Sequence, residues 1–295
     1  MKVLLIFIDG LGIAEPVKES NPAYHLTPGY IFARIPELPQ EGSCFPLDAT
    51  MGVKGLPQSA TGQTSLYTGI NAQKFIGKHL SGYPNLALRK LLYKHSLFVI
   101  LKNRGKRCLF INAFRHVFFS SPELFTDKGL SASSEMNRAA ELPFKSLRDI
   151  RNEKALYHDY TNTELIKKGF DLPEFDSMKA ASIINSQLND YDFILYEYFL
   201  TDKAGHSLDM NYAIKELQNI EDLLQSLLKV LNLNDTVLIA VSDHGNIEDM
   251  ATKSHTNHPA FLAIWGAGSQ KGFNSLLDIY PFIFQIMGLP LSSNT

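Results

Sequence analysis

Five short apolar runs constrain what this chain can fold into: Lys2–Ile8, Arg107–Asn112, Tyr191–Phe199, Thr236–Val241 and Phe261–Trp265. They are rich in branched and aromatic residues, and most are continuous instead of alternating with polar ones. Strands buried on both faces look like this, and they belong to sheets covered by helices on either side. Helical patterns lie between them, over 86–103, 177–188, 212–230 and 276–287, with Gly105 stopping the first. A further helix opens at Gly62–Leu66 and ends at Thr68–Gly69. Strands alternating with helices predict an α/β protein with a largely parallel sheet and helices on both faces.

Residues 16–58 hold many prolines and glycines and show little periodicity apart from Cys44–Leu47. From Ala113 to Glu174 the chain turns more polar, with Ser131, Ser133 and Ser134 clustered and aromatic residues scattered without strand spacing. This stretch reads as a small cap inserted into a main domain made of residues 1–112 and 175–295. The 295 residues suffice for one such domain with an insertion.

A net charge of -2 gives no electrostatic reason to expect nucleic acid as a partner. No run is long and apolar enough to span a membrane, and the apolar start has no cleavage site before Asp9-Gly10. The expectation is therefore a cytoplasmic protein with no membrane partner. Cys44 and Cys108 form no metal or redox motif and are expected to be buried, reduced thiols.

Acidic and histidine residues gather just past the strands. Asp9 follows the first, Asp202 and His206 follow Tyr191–Phe199, and Asp243 and His244 follow Thr236–Val241, with His255 and His258 beyond. Ligands of open parallel sheets bind at the carboxyl ends of the strands, so these side chains should converge on one edge. Carboxylates with imidazoles suit Zn²⁺ or Mn²⁺. Asp202 and His206, four apart, share a face if their segment is helical. Any one of these residues alone is as well explained as a cap, a turn residue or a solvated side chain. Their joint placement after three apolar strands favours metal binding. In Ser59-Ala-Thr61-Gly62-Gln63-Thr64-Ser65, hydroxyls stand at a helix start where backbone N–H groups can receive a phosphate, although Ser59 or Thr61 could equally be a helix cap there.

Together these motifs resemble the metalloenzyme superfamily that contains alkaline phosphatase, cofactor-independent phosphoglycerate mutase and phosphopentomutase. Asp9 in Phe7-Ile8-Asp9-Gly10 is similar to that family's first ligand, and Ser59-Ala-Thr-Gly62 to its nucleophile motif. Asp202-Lys-Ala-Gly-His206, Ser242-Asp243-His244-Gly245-Asn246 and His255-Thr-Asn-His258-Pro259 resemble its later ligand segments, in family order. The spacing to Pro259 makes His255 the ligand and His258 a neighbour. The resemblance implies an alkaline-phosphatase-like fold and two divalent metal ions per chain, Mn²⁺ or Zn²⁺ with Mg²⁺ as a further candidate. Asp9, Asp243, His244 and the Ser59 hydroxyl would hold one ion, and Asp202, His206 and His255 the other. Ser59 would be the nucleophile toward a small phosphorylated substrate.

Two departures from the mutases stand out. Gln63 replaces their His after the motif glycine, and the insertion is far shorter than theirs. The expectation is therefore a phosphatase or phosphodiesterase, with a phosphomutase as the alternative and an inactive metal-binding regulatory protein as a third reading. Sulfatases are disfavoured, since no Arg follows a Pro by two residues at Ser59. Arg115, His116 and Lys203 are candidates for substrate phosphate, although each is as readily a solvated surface residue.

Overall fold

A computed structural model describes residues 1–26, 31–32, 37–120, 129–269 and 271–291. The strands are β1 (Lys2–Ile8), β2 (Ser43–Leu47), β3 (Cys108–Phe110), β4 (Ala113–Phe114), β5 (Lys145–Ser146), β6 (Phe193–Tyr198), β7 (Thr236–Val241) and β8 (Ala260–Trp265). Six of them form one sheet in the order β2-β8-β7-β1-β6-β3. β1 is central, parallel to β6 on one side and β7 on the other, and β3 extends the sheet in parallel beyond β6. β8 runs antiparallel to both β7 and β2. The sheet is thus mostly parallel, as the continuous apolar runs predict.

Side chains alternate across each strand. Leu4, Ile6 and Ile8 of β1 enter one core, while Val3, Leu5 and Phe7 enter the other. The first core is closed by α9 (Ser177–Gln187) and α11 (Met210–Val230), through Ile184, Leu217, Ile220 and Leu224. The second is closed by α1 (Ser59–Thr68), α4 (Leu97–Asn103) and α12 (Ile279–Ile286), through Leu66, Phe98, Ile279 and Ile283. The remaining helices are α2 (Ala72–Ile76), α3 (Leu86–His95), α5 (His116–Phe119), α6 (Ala132–Ala139), α7 (Leu147–Arg151), α8 (Thr163–Lys167) and α10 (Leu200–Ser207).

The helix expected over 86–103 is two helices. Ser96, fully buried and extended at φ -67° and ψ 153°, separates α3 from α4. The Tyr280 hydroxyl donates to the His95 carbonyl at 3.0 Å, occupying an acceptor freed at the end of α3. The break turns Leu97, Phe98 and Leu101 into the core.

The residues between Ala113 and Glu174 carry β4 paired with β5 and four short helices; residues 121–128 lie outside the described part. Met136 of α6 joins the core beneath α1, and Ile150, Leu156 and Leu165 join the core beneath α11. Cys108 is buried and Cys44 only half-buried, and both are free thiols. Cys44 lies on β2, at the edge of the sheet. Among the described residues no helix is long and apolar enough to cross a membrane.

Candidate metal centre

The carboxyl ends of β1, β6 and β7 lie side by side, and the chain leaves each with an acidic residue. Asp9 follows β1 directly, while Asp243 and His244 follow β7 after Ser242. Beyond β6, α10 begins at Leu200, so Asp202 and His206 sit one turn apart on one helix face. The His206 Nε2 is 3.3 Å from Asp202 Oδ2. His255 reaches in from the loop before β8. The seven residues singled out from the sequence, Asp9, Ser59, Asp202, His206, Asp243, His244 and His255, are brought to one place.

Two groups of ligand atoms emerge, Asp9–Asp243–His244 and Asp202–His244–His255, so His244 stands between the two. Its Nε2 lies 3.3 Å from Asp9 Oδ1, 3.6 Å from Asp243 Oδ2 and 2.9 Å from Ser59 Oγ. His206 completes the second group, its Nε2 3.2 Å from that of His255.

Backbone carbonyls set the tautomers. The Nδ1 of His255 contacts Pro57 O at 2.9 Å, that of His206 contacts Lys253 O at 2.7 Å, and that of His244 contacts Gly245 O at 3.3 Å. A carbonyl only accepts, so each Nδ1 carries a proton and each ring turns Nε2 to the centre. The Nε2 atoms of His206 and His255 face each other at 3.2 Å among carboxylates. Asp9 Oδ1 and Asp243 Oδ2 are buried without a hydrogen-bond donor. These orphaned acceptors and inward-facing nitrogens fit divalent cations.

Titration behaviour agrees. Burial raises the Asp9 carboxyl well above the usual range, the Asp243 charge adding to it, and burial raises Asp243 as well. Burial alone would lower the His244 value, but Asp243 and Asp9 raise it far above normal. Without a metal, the cluster must take up protons to offset its own negative charge.

Ser59 is the first residue of α1, with Gln58 as the cap, so neither Ser59 nor Thr61 is the helix cap. Thr61 is fully buried, donating to Gln58 O at 3.1 Å and accepting from Leu80 N at 3.2 Å. Gln63 donates to Asp9 Oδ2 at 3.5 Å, so it faces a ligand. His258 turns away from the centre, its Nδ1 at 3.1 Å from Glu248 Oε1. Lys203 lines the cavity over the centre, whereas Arg115 and His116 are not among its lining residues.

Three residues escaped the sequence reading. Asn246 donates to Asp202 Oδ1 at 2.6 Å and so orients a ligand. Glu248 accepts from Gly12 N at 2.8 Å, Asn246 N at 2.7 Å and the Thr256 hydroxyl, joining three ligand-bearing loops through one carboxylate. Glu197 is buried at the end of β6 and lines the cavity. A charge within the otherwise apolar run Phe193–Phe199 was the available signal for it.

Residues 151–290 match the family model described as the metalloenzyme superfamily. The fold is shared with an alkaline phosphatase from the Antarctic bacterium TAB5, at TM-score 0.56 and 15% identity over 98% of this chain and 99% of that one. It is also shared with the phosphoglycerate mutase of Leishmania mexicana, at TM-score 0.53 and 12% identity over 99% and 96%. The chain is thus similar to the metalloenzyme superfamily over its C-terminal half and shares the alkaline-phosphatase-like fold over its length. Similar curated proteins are 2,3-bisphosphoglycerate-independent phosphoglycerate mutases. That of Desulforudis audaxviator is 33% identical over 41% of this chain and 26% of its own length. That of Legionella pneumophila is 26% identical over 68% and 42%. The chain therefore spans well under two thirds of these relatives. Among the candidate ligands, Asp202, His206, Asp243, His244 and His255 fall inside the matched stretch, while Asp9 and Ser59 precede it.

Proposed function

We propose that this protein is a two-metal phosphoryl-transfer enzyme in which Ser59 takes a phosphoryl group from a small phosphorylated metabolite. Asp9, Asp243, His244 and Ser59 would hold one divalent ion, and Asp202, His206 and His255 the other. When bound, the ions stabilise charge on the attacking and leaving oxygens of an in-line displacement. Support comes chiefly from one observation: Ser59 Oγ lies 2.9 Å from His244 Nε2, the atom between the two ligand groups.

The rest of the chemistry belongs to the chain's own side chains. Ser59 begins α1, so the positive end of the helix faces the phosphoryl oxygens. Its oxygen bonds to phosphorus as the bond to the leaving oxygen breaks, giving a phosphoserine. Water then attacks phosphorus, freeing inorganic phosphate and restoring the hydroxyl. We take the 113–174 segment as a partial cover, too small to seal the site from water.

A phosphomutase is the second reading, favoured by the names of the curated relatives. The Mn²⁺-loaded protein, assayed on a panel of phosphomonoesters and diesters, should release free phosphate in step with substrate loss. Conversion to a positional isomer with negligible free phosphate would establish the mutase reading instead. Full metal loading without turnover on any substrate would support a regulatory metal-binding role.

A further inference from the structure

The cavity over the metal centre encloses about 600 Å³, and only part of its wall is metal ligand. Its far side is built from α6, the end of β6 and the loop after α2. Ser131, which caps α6, bonds through Oγ to Ser133 Oγ at 2.9 Å and to Ser134 Oγ at 3.0 Å. The Ser133 hydroxyl donates to Glu197 Oε2 at 2.7 Å. Glu197 is only 7% exposed, and the Ser133 bond engages its Oε2. Ser131, Ser134 and Glu197 all line the cavity.

A mostly buried carboxylate in a cavity wall favours a ligand group that donates a hydrogen bond to it. The serine cluster's bond to Glu197 goes to Oε2 and fixes the side chain while the carboxylate faces the cavity. Tyr83, Phe114 and Phe199 complete this wall, with Tyr83 and Phe199 holding their rings open to solvent. Ring faces of this kind pack against the C–H surface of a small polyol or amino alcohol. Among the described lining residues the basic side chains are Lys203, His206 and His255. Lys203 lies 3.4 Å from Glu164 Oε1, and both histidines belong to the candidate metal centre.

We infer that this wall recognises the leaving group, and that Glu197, backed by Ser131, Ser133 and Ser134, selects a substrate whose non-phosphate end donates hydrogen bonds and carries no negative charge. A carboxylate on the leaving group would meet Glu197 with like charge and no arginine to offset it. The selected class is thus the phosphate monoester of a polyol or of an amino alcohol, not of a hydroxy acid. This inference rests on the proposed phosphoryl-transfer role for the placement of the phosphate, and on the wall alone for the selection.

Burial raises the Glu197 carboxyl to about 7, so calorimetry on the Mn²⁺-loaded protein at about pH 8, above that value, tests it. Glycerol 3-phosphate and phosphoethanolamine should each bind about tenfold or more tighter than 3-phosphoglycerate, a like-charge penalty of ordinary size. Glu197→Gln should reduce that discrimination severalfold. It should weaken phosphoethanolamine most if the class is amino alcohols and both ligands equally if it is polyols. Ser134→Ala, which leaves the carboxylate in place, should weaken glycerol 3-phosphate severalfold and carries the test should the Gln variant not fold. Phosphate release from 4-nitrophenyl phosphate is measured in parallel on the wild type. No release, with the binding preference intact, would sink the phosphoryl-transfer role while supporting the selection. Release, with 3-phosphoglycerate bound as tightly as the other two, would overturn the selection alone.

Discussion

His255 and His258 lie three residues apart, and their rings do opposite things. His255 anchors Nδ1 on Pro57 O and turns Nε2 into the cluster, whereas His258 pairs with Glu248 outside it. His255→Ala should therefore lower metal stoichiometry and abolish most activity, while His258→Ala keeps both ions, as elemental analysis would read. Ser59→Ala should abolish turnover and remove at most one ligand, so metal binding persists while phosphate release drops to background. The cluster's titration adds a pH prediction for the metal-free protein. Burial, with Asp243 adding, holds the Asp9 carboxyl at about 8, and the His244 imidazole is likewise raised by its carboxylate neighbours. Both groups bind protons more tightly folded than unfolded. Their contribution is therefore fully present below the unfolded values and is lost as pH rises, from about 4 for the carboxyl, through the folded values. Thermal melts in chelator should show the midpoint falling across that window. Saturating Mn²⁺ should flatten the slope, because the ions replace the protons.

At the scale of elements, close approaches between the ligand-bearing segments hold the centre together. A Cβ on Gly205 of α10 would lie 2.6 Å from the Asn246 side chain, which holds Asp202. Gly205→Ala ought to favour the helix by about 1 kcal/mol on propensity alone. The displaced Asn246 should nevertheless lower metal affinity by about 10- to 100-fold, the usual range for a group that orients a ligand. Unchanged affinity on calorimetric titration would show that Asn246 does not hold Asp202 in solution. Gly62 has a similar position on α1, its Cβ site 3.0 Å from Asp243 Cβ. Much of this element level was legible beforehand. The apolar runs marked the strands, and the Asp-x-x-x-His spacing marked one helix face. The break at Ser96 was not legible, because the burial of Ser96 and the Tyr280 hydroxyl on His95 depend on a helix far along the chain.

Over the whole molecule, the sheet brings the two groups of candidate ligands to one edge. β1, β6 and β7 are hydrogen-bonded neighbours, so the segments leaving them converge although they come from distant parts of the sequence. Metal binding to the folded state alone should raise stability by about 2.7 kcal/mol per site at a hundredfold excess over Kd. A melting midpoint that does not respond to Mn²⁺ would count against a resident metal. The chain spans only 26% to 42% of the mutases it resembles in sequence. On the proposed reading, free-phosphate release against isomer formation measures how far the 113–174 segment keeps water from Ser59.

The sequence by itself determined five of the six strands of the main sheet, the largely parallel α/β class and the ligand candidates. These follow from local periodicity and from polar residues placed at the ends of apolar runs, which neighbours along the chain suffice to specify. Only the tertiary structure decided which nitrogen each histidine presents, because the carbonyls of Pro57 and Lys253 belong to loops brought in by folding. The same holds for Glu248 beneath three loops and for Glu197 behind the serines. Neither acid stands out in the sequence, and what each does depends on a donor from far along the chain, Gly12 N for Glu248 and the Ser133 hydroxyl for Glu197.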